Sequence, residues 1–376
     1  MTLFLITFLF LYSTLHLYIF VKLQFAFHLR FIPNIFVVIF MLVMTFAPFA
    51  VRLAERAGHE SLARLMAYAG YTWMGVIFLF FSLSICIDVL RMVVHLSGLV
   101  FRRDLSGLTS AYRLFFIIPM MYALIASAYG YWEAKNIIVE KIVIRTSRIP
   151  ESVGKITIVQ VSDIHLGLIV REGRLRLITD AVKRANPDIL VSTGDLVDGQ
   201  IDGLNGLIGM LDEIRPRYGK FAVTGNHEFY AGIKESLDFT QKAGFRMLRG
   251  EGVTIGGIIN IAGVDDIAGR PFNYVEVQER ILLSKVPQGL FTILLKHQPV
   301  VDGGAAGLFD LQLSGHTHKG QIFPFRFVTK LFYPMYTGYH SLPGGSKLYV
   351  NRGSGTWGPP IRFLAPPEVT VIELQR

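Results

Sequence analysis

The sequence predicts an N-terminal region of four membrane-spanning helices over residues 1–136, followed by an α/β domain over residues 137–376, on three observations. Apolar stretches long enough to cross a bilayer crowd the first third of the chain. Short β-rich runs alternating with helix-period segments fill the remainder. Each of five such runs stops at a polar cluster rich in Asp, Asn or His.

The first stretch, residues 3–27, is long enough to span a bilayer at about 1.5 Å rise per residue. A cleaved signal peptide is the alternative reading, but the charged leading segment is missing and three further spans follow, near 31–50, 65–89 and 112–131. His16, Lys22 and Asp88 fall within the spans and are candidates to line a site. For Lys22 and Asp88, which lie near span ends, reaching to the interface accounts for the charge better than transport does. Pro48 and Pro119 are expected to kink or end helices, and the segment 91–110 to lie along the membrane surface. Four spans put Arg52, Arg56, Arg64 and Lys135 on one face and Arg30, Arg91, Arg102, Arg103 and Arg113 on the other, so the positive-inside rule leaves orientation balanced.

Charge is spread evenly enough to exclude one class of partner. Residues 1–136 hold 10 Lys or Arg and 5 Asp or Glu, and the rest holds 27 and 23. The basic balance therefore does not come from a strongly basic second domain, and no basic block argues for nucleic acid. The single cysteine, Cys86, sits in an apolar run and allows no intrachain disulfide.

From residue 137 the periodicity changes. Residues 137–144 read as an edge strand and 155–161 as the strand before Asp163-Ile164-His165. Leu175, Ile178, Ala181, Val182 and Ala185 recur at helical spacing until Asn186-Pro187 stops them. Strands over 188–192, 218–223, 291–295 and 310–313 precede Gly194-Asp195, Gly225-Asn226-His227-Glu228, His297 and Gly315-His316-Thr317-His318. Further helices are expected over 204–214 and 234–243, and further strands over 253–263, 347–350 and 369–374. Five strand ends would then converge on one site, as ligands in sheet proteins with helical crossovers gather beyond strand ends.

The donors there are Asp163, His165, Asp195, Asn226, His297, His316 and His318, oxygen and imidazole ligands that suit Mn, Fe or Zn. Seven side chains are too many for one ion with room for water, so the count points to two divalent cations. An Asp can bridge two ions, whereas a neutral imidazole bonds through one nitrogen.

The ordered series DIH, GDLVD, GNHE, a lone His and GHTH resembles the signature of the calcineurin-like metallophosphoesterases, over roughly residues 137–376. The resemblance implies a two-sheet β-sandwich flanked by helices. It also implies that Asp163, His165 and His318 hold one metal, that Asn226, His297 and His316 hold the second, and that Asp195 bridges. His227 would then be catalytic, serving the leaving group or the phosphoryl charge. Asp198 and Glu228 are either partners that orient imidazoles or solvated loop acids. Arg352 and Arg362 are either phosphate-binding or ion-paired. The aromatic insertion 320–345 follows the last motif and is either a loop packed on itself or a membrane-facing lip that admits a lipid. His340 within it matches no motif.

The expected activity is hydrolysis of a phosphodiester or pyrophosphate bond by metal-activated hydroxide, in a lipid-linked substrate at the cell membrane. Some membrane-associated relatives act on UDP-diacylglucosamine, a candidate by resemblance only. A less specific phosphodiesterase acting on phospholipid or envelope polymers is a second enzymatic reading. A membrane scaffold or transporter with a regulatory phosphoesterase domain is the reading from another class.

Overall fold

The computed structural model describes residues 2–199, 203–272, 274 and 277–376, and the chain divides into two compact units. The first comprises residues 1–132 with Gly358–Phe363; the second comprises Glu133–Trp357 with Leu364–Arg376.

In the first unit, α1 (Thr2–Phe27), α2 (Phe31–Arg56), α3 (Glu60–Phe101), the short α4 (Ser106–Thr109) and α5 (Tyr112–Glu133) follow one another. Among the described residues, four helices are long and apolar enough to cross a membrane. Small residues let α2 and α3 approach closely: a Cβ added at Gly70 would lie 2.8 Å from the Ala47 Cβ. Pro48 and Pro119 lie inside α2 and α5, and neither ends its helix.

Residues 91–101 continue α3, since no proline intervenes before Arg102. Arg102 turns left-handed at φ 49° and lets the Arg103 N–H bond the Gly98 carbonyl at 2.9 Å. Lys22 and Asp88 pair with each other at 2.8 Å, and Asp88 also takes Arg91 at 3.2 Å and the Tyr18 hydroxyl at 2.5 Å. His16 accepts the Trp73 indole N–H at 3.0 Å. Gly358–Phe363 returns from late in the chain to lie with the helices, where the Arg362 N–H bonds the Gly130 carbonyl at 2.9 Å.

The second unit opens with β1 (Ile138–Arg145), β2 (Lys155–Val161), α6 (Glu172–Ala185), β3 (Ile189–Ser192), α7 (Asn205–Asp212) and β4 (Lys220–Ala222). It continues through α8 (Asn226–Ala231), α9 (Ile233–Lys242), β5 (Arg246–Met247), β6 (Glu251–Ile255), β7 (Ile259–Gly263), α10 (Glu279–Ser284), β8 (Phe291–Leu295) and β9 (Leu311–Ser314). It closes with α11 (Arg326–Phe332), β10 (Gly338–Ser341), β11 (Lys347–Val350) and β12 (Glu368–Gln375).

Two six-stranded mixed sheets result, in the orders β1-β12-β2-β3-β4-β5 and β10-β11-β9-β8-β7-β6. Alternate residues of both sheets, including Ile156, Ile158, Ile189, Val191, Ile261, Ile293, Leu313 and Ile372, form one buried core. The opposite face of the second sheet is buried too, with Ala262 and Leu294 beside Leu282 and Leu283. Burial of both faces explains why these strands read as continuous apolar runs. Strands β2, β3 and β4 run parallel to one another, as do β8 and β9, so the motif loops leave each set at a shared end.

Candidate metal centre

Every candidate ligand sits just beyond one of those strand ends. Asp163 and His165 follow β2, Asp195 follows β3, Asn226 opens α8 after β4, His297 follows β8, and His316 and His318 follow β9. Five of the seven, Asp163, His165, Asp195, His316 and His318, adopt positive φ between 49° and 69°. Each such non-glycine conformation costs about 1–3 kcal/mol and persists only where its surroundings dictate it. The loops are also drawn tight. A methyl group at Gly225 would overlap Asp195 Oδ1, and one at Gly315 would overlap Ser162 Oγ and Asp163 Oδ2.

Among the described residues, three groups have ligand atoms within 4.8 Å of one another: Asp163, His165 and His318; Asp195, His297 and His316; and His165, Asp195 and His227. Asn226 joins the second group, its Oδ1 lying 3.0 Å from His316 Nδ1 and 3.2 Å from His297 Nε2. Asp195 Oδ2 lies between the groups, 3.7 Å from His165 Nε2 and 3.2 Å from His297 Nε2. The structure thus brings all seven candidate ligands together, with His227 beside His165 and Asp195.

The donor set fits cations. His165 Nε2 and His318 Nε2 face each other at 3.1 Å, and His297 Nε2 faces His316 Nδ1 at 3.2 Å. Partners on the far side of the rings make these the inward nitrogens. His297 Nδ1 gives its proton to the Thr193 carbonyl at 2.8 Å, and His165 Nδ1 lies 3.4 Å from Asp198 Oδ1. Burial opposes ionisation of Asp163 and Asp195, but the neighbouring imidazoles outweigh it and hold both carboxyls well below the usual carboxylate range. Burial and the charge of His297 push His316 down to about 3, which keeps a lone pair on its inward nitrogen. Two buried carboxylates and four inward-facing imidazole nitrogens form an oxygen and nitrogen pocket for divalent ions.

His227 stands at the rim of the groups. Its Nδ1 is 3.0 Å from Asp198 Oδ1 and 2.9 Å from the Asp198 carbonyl, which leaves Nε2 as the nitrogen open to an incoming oxygen. Burial disfavours the imidazolium, but Asp195 and the bond to Asp198 override it and raise His227 to about 9. Cations sharing Asp195 would take up part of that carboxylate's charge and bring the value down. Two exposed rings, Tyr230 and Trp357, lie edge-on to His227 with centroids 5.6 and 5.9 Å away.

The open alternatives resolve individually. Asp198 holds the His227 ring at 3.0 Å, and lies 3.4 Å from His165 Nδ1, which makes no hydrogen bond. Glu228 is neither a solvated acid nor an imidazole partner: it is buried and accepts the backbone N–H groups of Gly225 at 2.6 Å, Asp195 at 3.0 Å, Leu196 at 2.7 Å and Val197 at 3.3 Å. It pins the Asp195 loop to the Asn226 loop. At about 1–3 kcal/mol for each buried donor left unsatisfied, Glu228→Ala should cost at least about 3 kcal/mol. Thermal unfolding of the full-length protein in detergent checks this, and a variant that melts with the wild type contradicts it. Arg352 is ion-paired with Glu368 and, at 3.0 Å, with Glu140, and Arg362 is fully buried. His340 bonds the Thr337 carbonyl within the insertion.

Sequence reasoning missed Tyr333, Gln298 and Asp266. The Tyr333 hydroxyl lies 3.0 Å from His316 Nε2 and 2.9 Å from Gln298 Oε1, while Gln298 Nε2 reaches both Asp266 oxygens at 3.0 and 3.1 Å. Adjacency to His297 was the only available signal for Gln298. Tyr333 was one aromatic residue among many.

Comparison with known proteins agrees with this geometry. A family described as calcineurin-like phosphoesterase matches residues 156–320. A metallophosphoesterase of Aquifex aeolicus is 43% identical over 258 residues, covering 68% of this chain and 98% of that protein. One from Campylobacter jejuni is 33% identical over 327 residues, covering 82% of this chain and 83% of that protein. A transmembrane protein with metallophosphoesterase domain from Danio rerio is 32% identical over 247 residues, covering 62% of this chain and 56% of that protein.

Proposed function

The chain belongs to the calcineurin-like phosphoesterase family, and we propose that it is a membrane-bound hydrolase using two divalent cations to cleave a phosphodiester or pyrophosphate bond in a lipid-linked substrate. The observation that carries the hydrolytic reading is Asp195 Oδ2 standing between the two groups of inward nitrogens. In this reading Asp163, His165 and His318 hold one cation, Asn226, His297 and His316 hold the other, and Asp195 serves both. When bound, the pair supplies Lewis-acid charge for phosphoryl oxygens and acidifies water. His227, its Nδ1 held by Asp198, carries a proton on Nε2 to the leaving oxygen. Asp198 keeps that ring in register.

The lipid part of the reading rests on α11. Its exposed large side chains, Phe327, Val328, Leu331 and Phe332, range from 42% to 81% accessible, and Arg326 stacks over Phe323 and Phe327. Apolar surface of this kind favours an apolar partner, and the mixture of aromatic and basic residues suits the membrane interface. The residue that follows α11, Tyr333, touches His316, so this face adjoins the reacting centre. The four apolar helices support attachment to the same membrane.

The test is incubation of full-length protein in mixed micelles with Mn²⁺ and UDP-diacylglucosamine, with phosphorus products followed by mass spectrometry. Release of UMP and the lipid phosphate supports the proposal. No cleavage of that lipid, with bis(p-nitrophenyl) phosphate still hydrolysed, removes the nucleotide-linked substrate and directs the test to phospholipids and envelope polymers. Replacing Phe327, Leu331 and Phe332 together by Ser should lower the ratio of turnover on a micellar substrate to turnover on the soluble diester by at least about tenfold. Burial of even one such side chain contributes ~1.5–3 kcal/mol. An unchanged ratio would exclude α11 as the lipid contact.

A further inference from the structure

We infer that Tyr333, contributed by the aromatic insertion, is a positioning residue for His316 and thereby sets the affinity of the second cation; this rests on the two-cation reading above. The inference comes from the direction of four hydrogen bonds. Because the Tyr333 hydroxyl donates to Gln298, its oxygen accepts from His316 Nε2 at 3.0 Å, which places the His316 proton on Nε2 and leaves Nδ1 facing Asn226 Oδ1 and His297 Nε2 for a cation. The Tyr333 hydroxyl then gives its own proton to Gln298 Oε1 at 2.9 Å. The amide nitrogen of Gln298 gives to both oxygens of Asp266 at 3.0 and 3.1 Å. Each group accepts once and donates onward, so the chain works in one direction and selects one tautomer of His316.

The far end is anchored. The Asp266 N–H bonds Thr224 Oγ1 at 3.0 Å, and Thr224 Oγ1 bonds Asp265, which Arg249 grips with two nitrogens at 2.8–3.0 Å. Asp266 is buried, and that burial raises its carboxyl above the usual range without removing it as an acceptor. Asp266 also accepts the Ala268 N–H at 2.8 Å. Among the described residues, His316 Nε2 has no other hydrogen-bond partner, so the ring orientation depends on Tyr333. The insertion is therefore part of the metal centre as well as a surface beside it.

Tyr333→Phe removes the hydroxyl and keeps the ring, whose centroid lies 5.1 Å from that of His316. Full-length wild type and variant in detergent are titrated with Mn²⁺, and both dissociation constants are measured. The expected result is a second cation weakened by ~10–100-fold with the first unchanged, the usual range for losing an outer partner of a ligand. Excess Mn²⁺ should then restore kcat, which loss of packing would not allow. Gln298→Leu should weaken the same cation, and combining it with Tyr333→Phe should add little, because both act through one chain. Two cations bound by Tyr333→Phe with wild-type affinity would overturn the inference alone. Equal weakening of both cations would overturn it as general damage to the site. Wild type binding fewer than two cations would overturn it together with the reading on which it rests.

Discussion

Asp195→Asn is expected to lower phosphodiester turnover by at least about 10³-fold, beyond the ~10²–10³ typical of removing one preorganised charge-stabilising group. Asp195 Oδ1 already accepts the His227 N–H at 2.8 Å, and Oδ2 is the oxygen facing His165 and His297. An asparagine would keep its one oxygen on that N–H and turn its NH₂ toward the ring nitrogens. A donor would then stand where a cation ligand is needed, for both groups at once. Metal content and turnover on the same preparation check this, and a variant that retained two cations and near-wild-type turnover would refute the bridging role.

His227→Ala is expected to lower turnover by ~10²–10⁴-fold while both cations remain bound, the range for general acid catalysis. His227 is adjacent to Asn226 in sequence, and Asp198 holds its Nδ1 while its ring packs edge-on to His165 at 4.6 Å. The deficit should shrink for p-nitrophenyl esters, whose leaving oxygen needs no proton, and persist for alkyl esters. An equal deficit on both would argue against proton donation, and loss of both cations would place His227 among the ligands instead.

Much of the site was readable because its chemistry is local to short motifs. Asp163, His165, Asp195, Asn226, His297, His316 and His318 each stand within a few residues of a strand end, and those strands announce themselves by burying both faces. The helical run ending at Asn186 was equally plain, since Leu175, Ile178, Ala181 and Val182 form its buried side. The extension of α3 through residue 101 was less readable, because charged residues near a span end mask a helix that simply continues. Glu228 was misjudged for a similar reason: an acid in a polar motif looks like a side-chain partner, and only the fold shows four backbone donors around it.

The sequence alone determined the four apolar helices, the succession of strands and helices after them, and the identity of the ligand donors, since each depends on residue type and short-range period. Tertiary structure decided which residues meet. It inserted β12 between β1 and β2, placed Asp195 Oδ2 between two groups that each draw on both sheets, and set Tyr333 on His316, 17 residues apart in the chain. It also imposed left-handed backbone on five ligands whose residue types rarely choose it. Contacts between distant residues depend on how two buried faces pack and on strain the whole domain can hold, and neither is encoded in any short stretch of sequence.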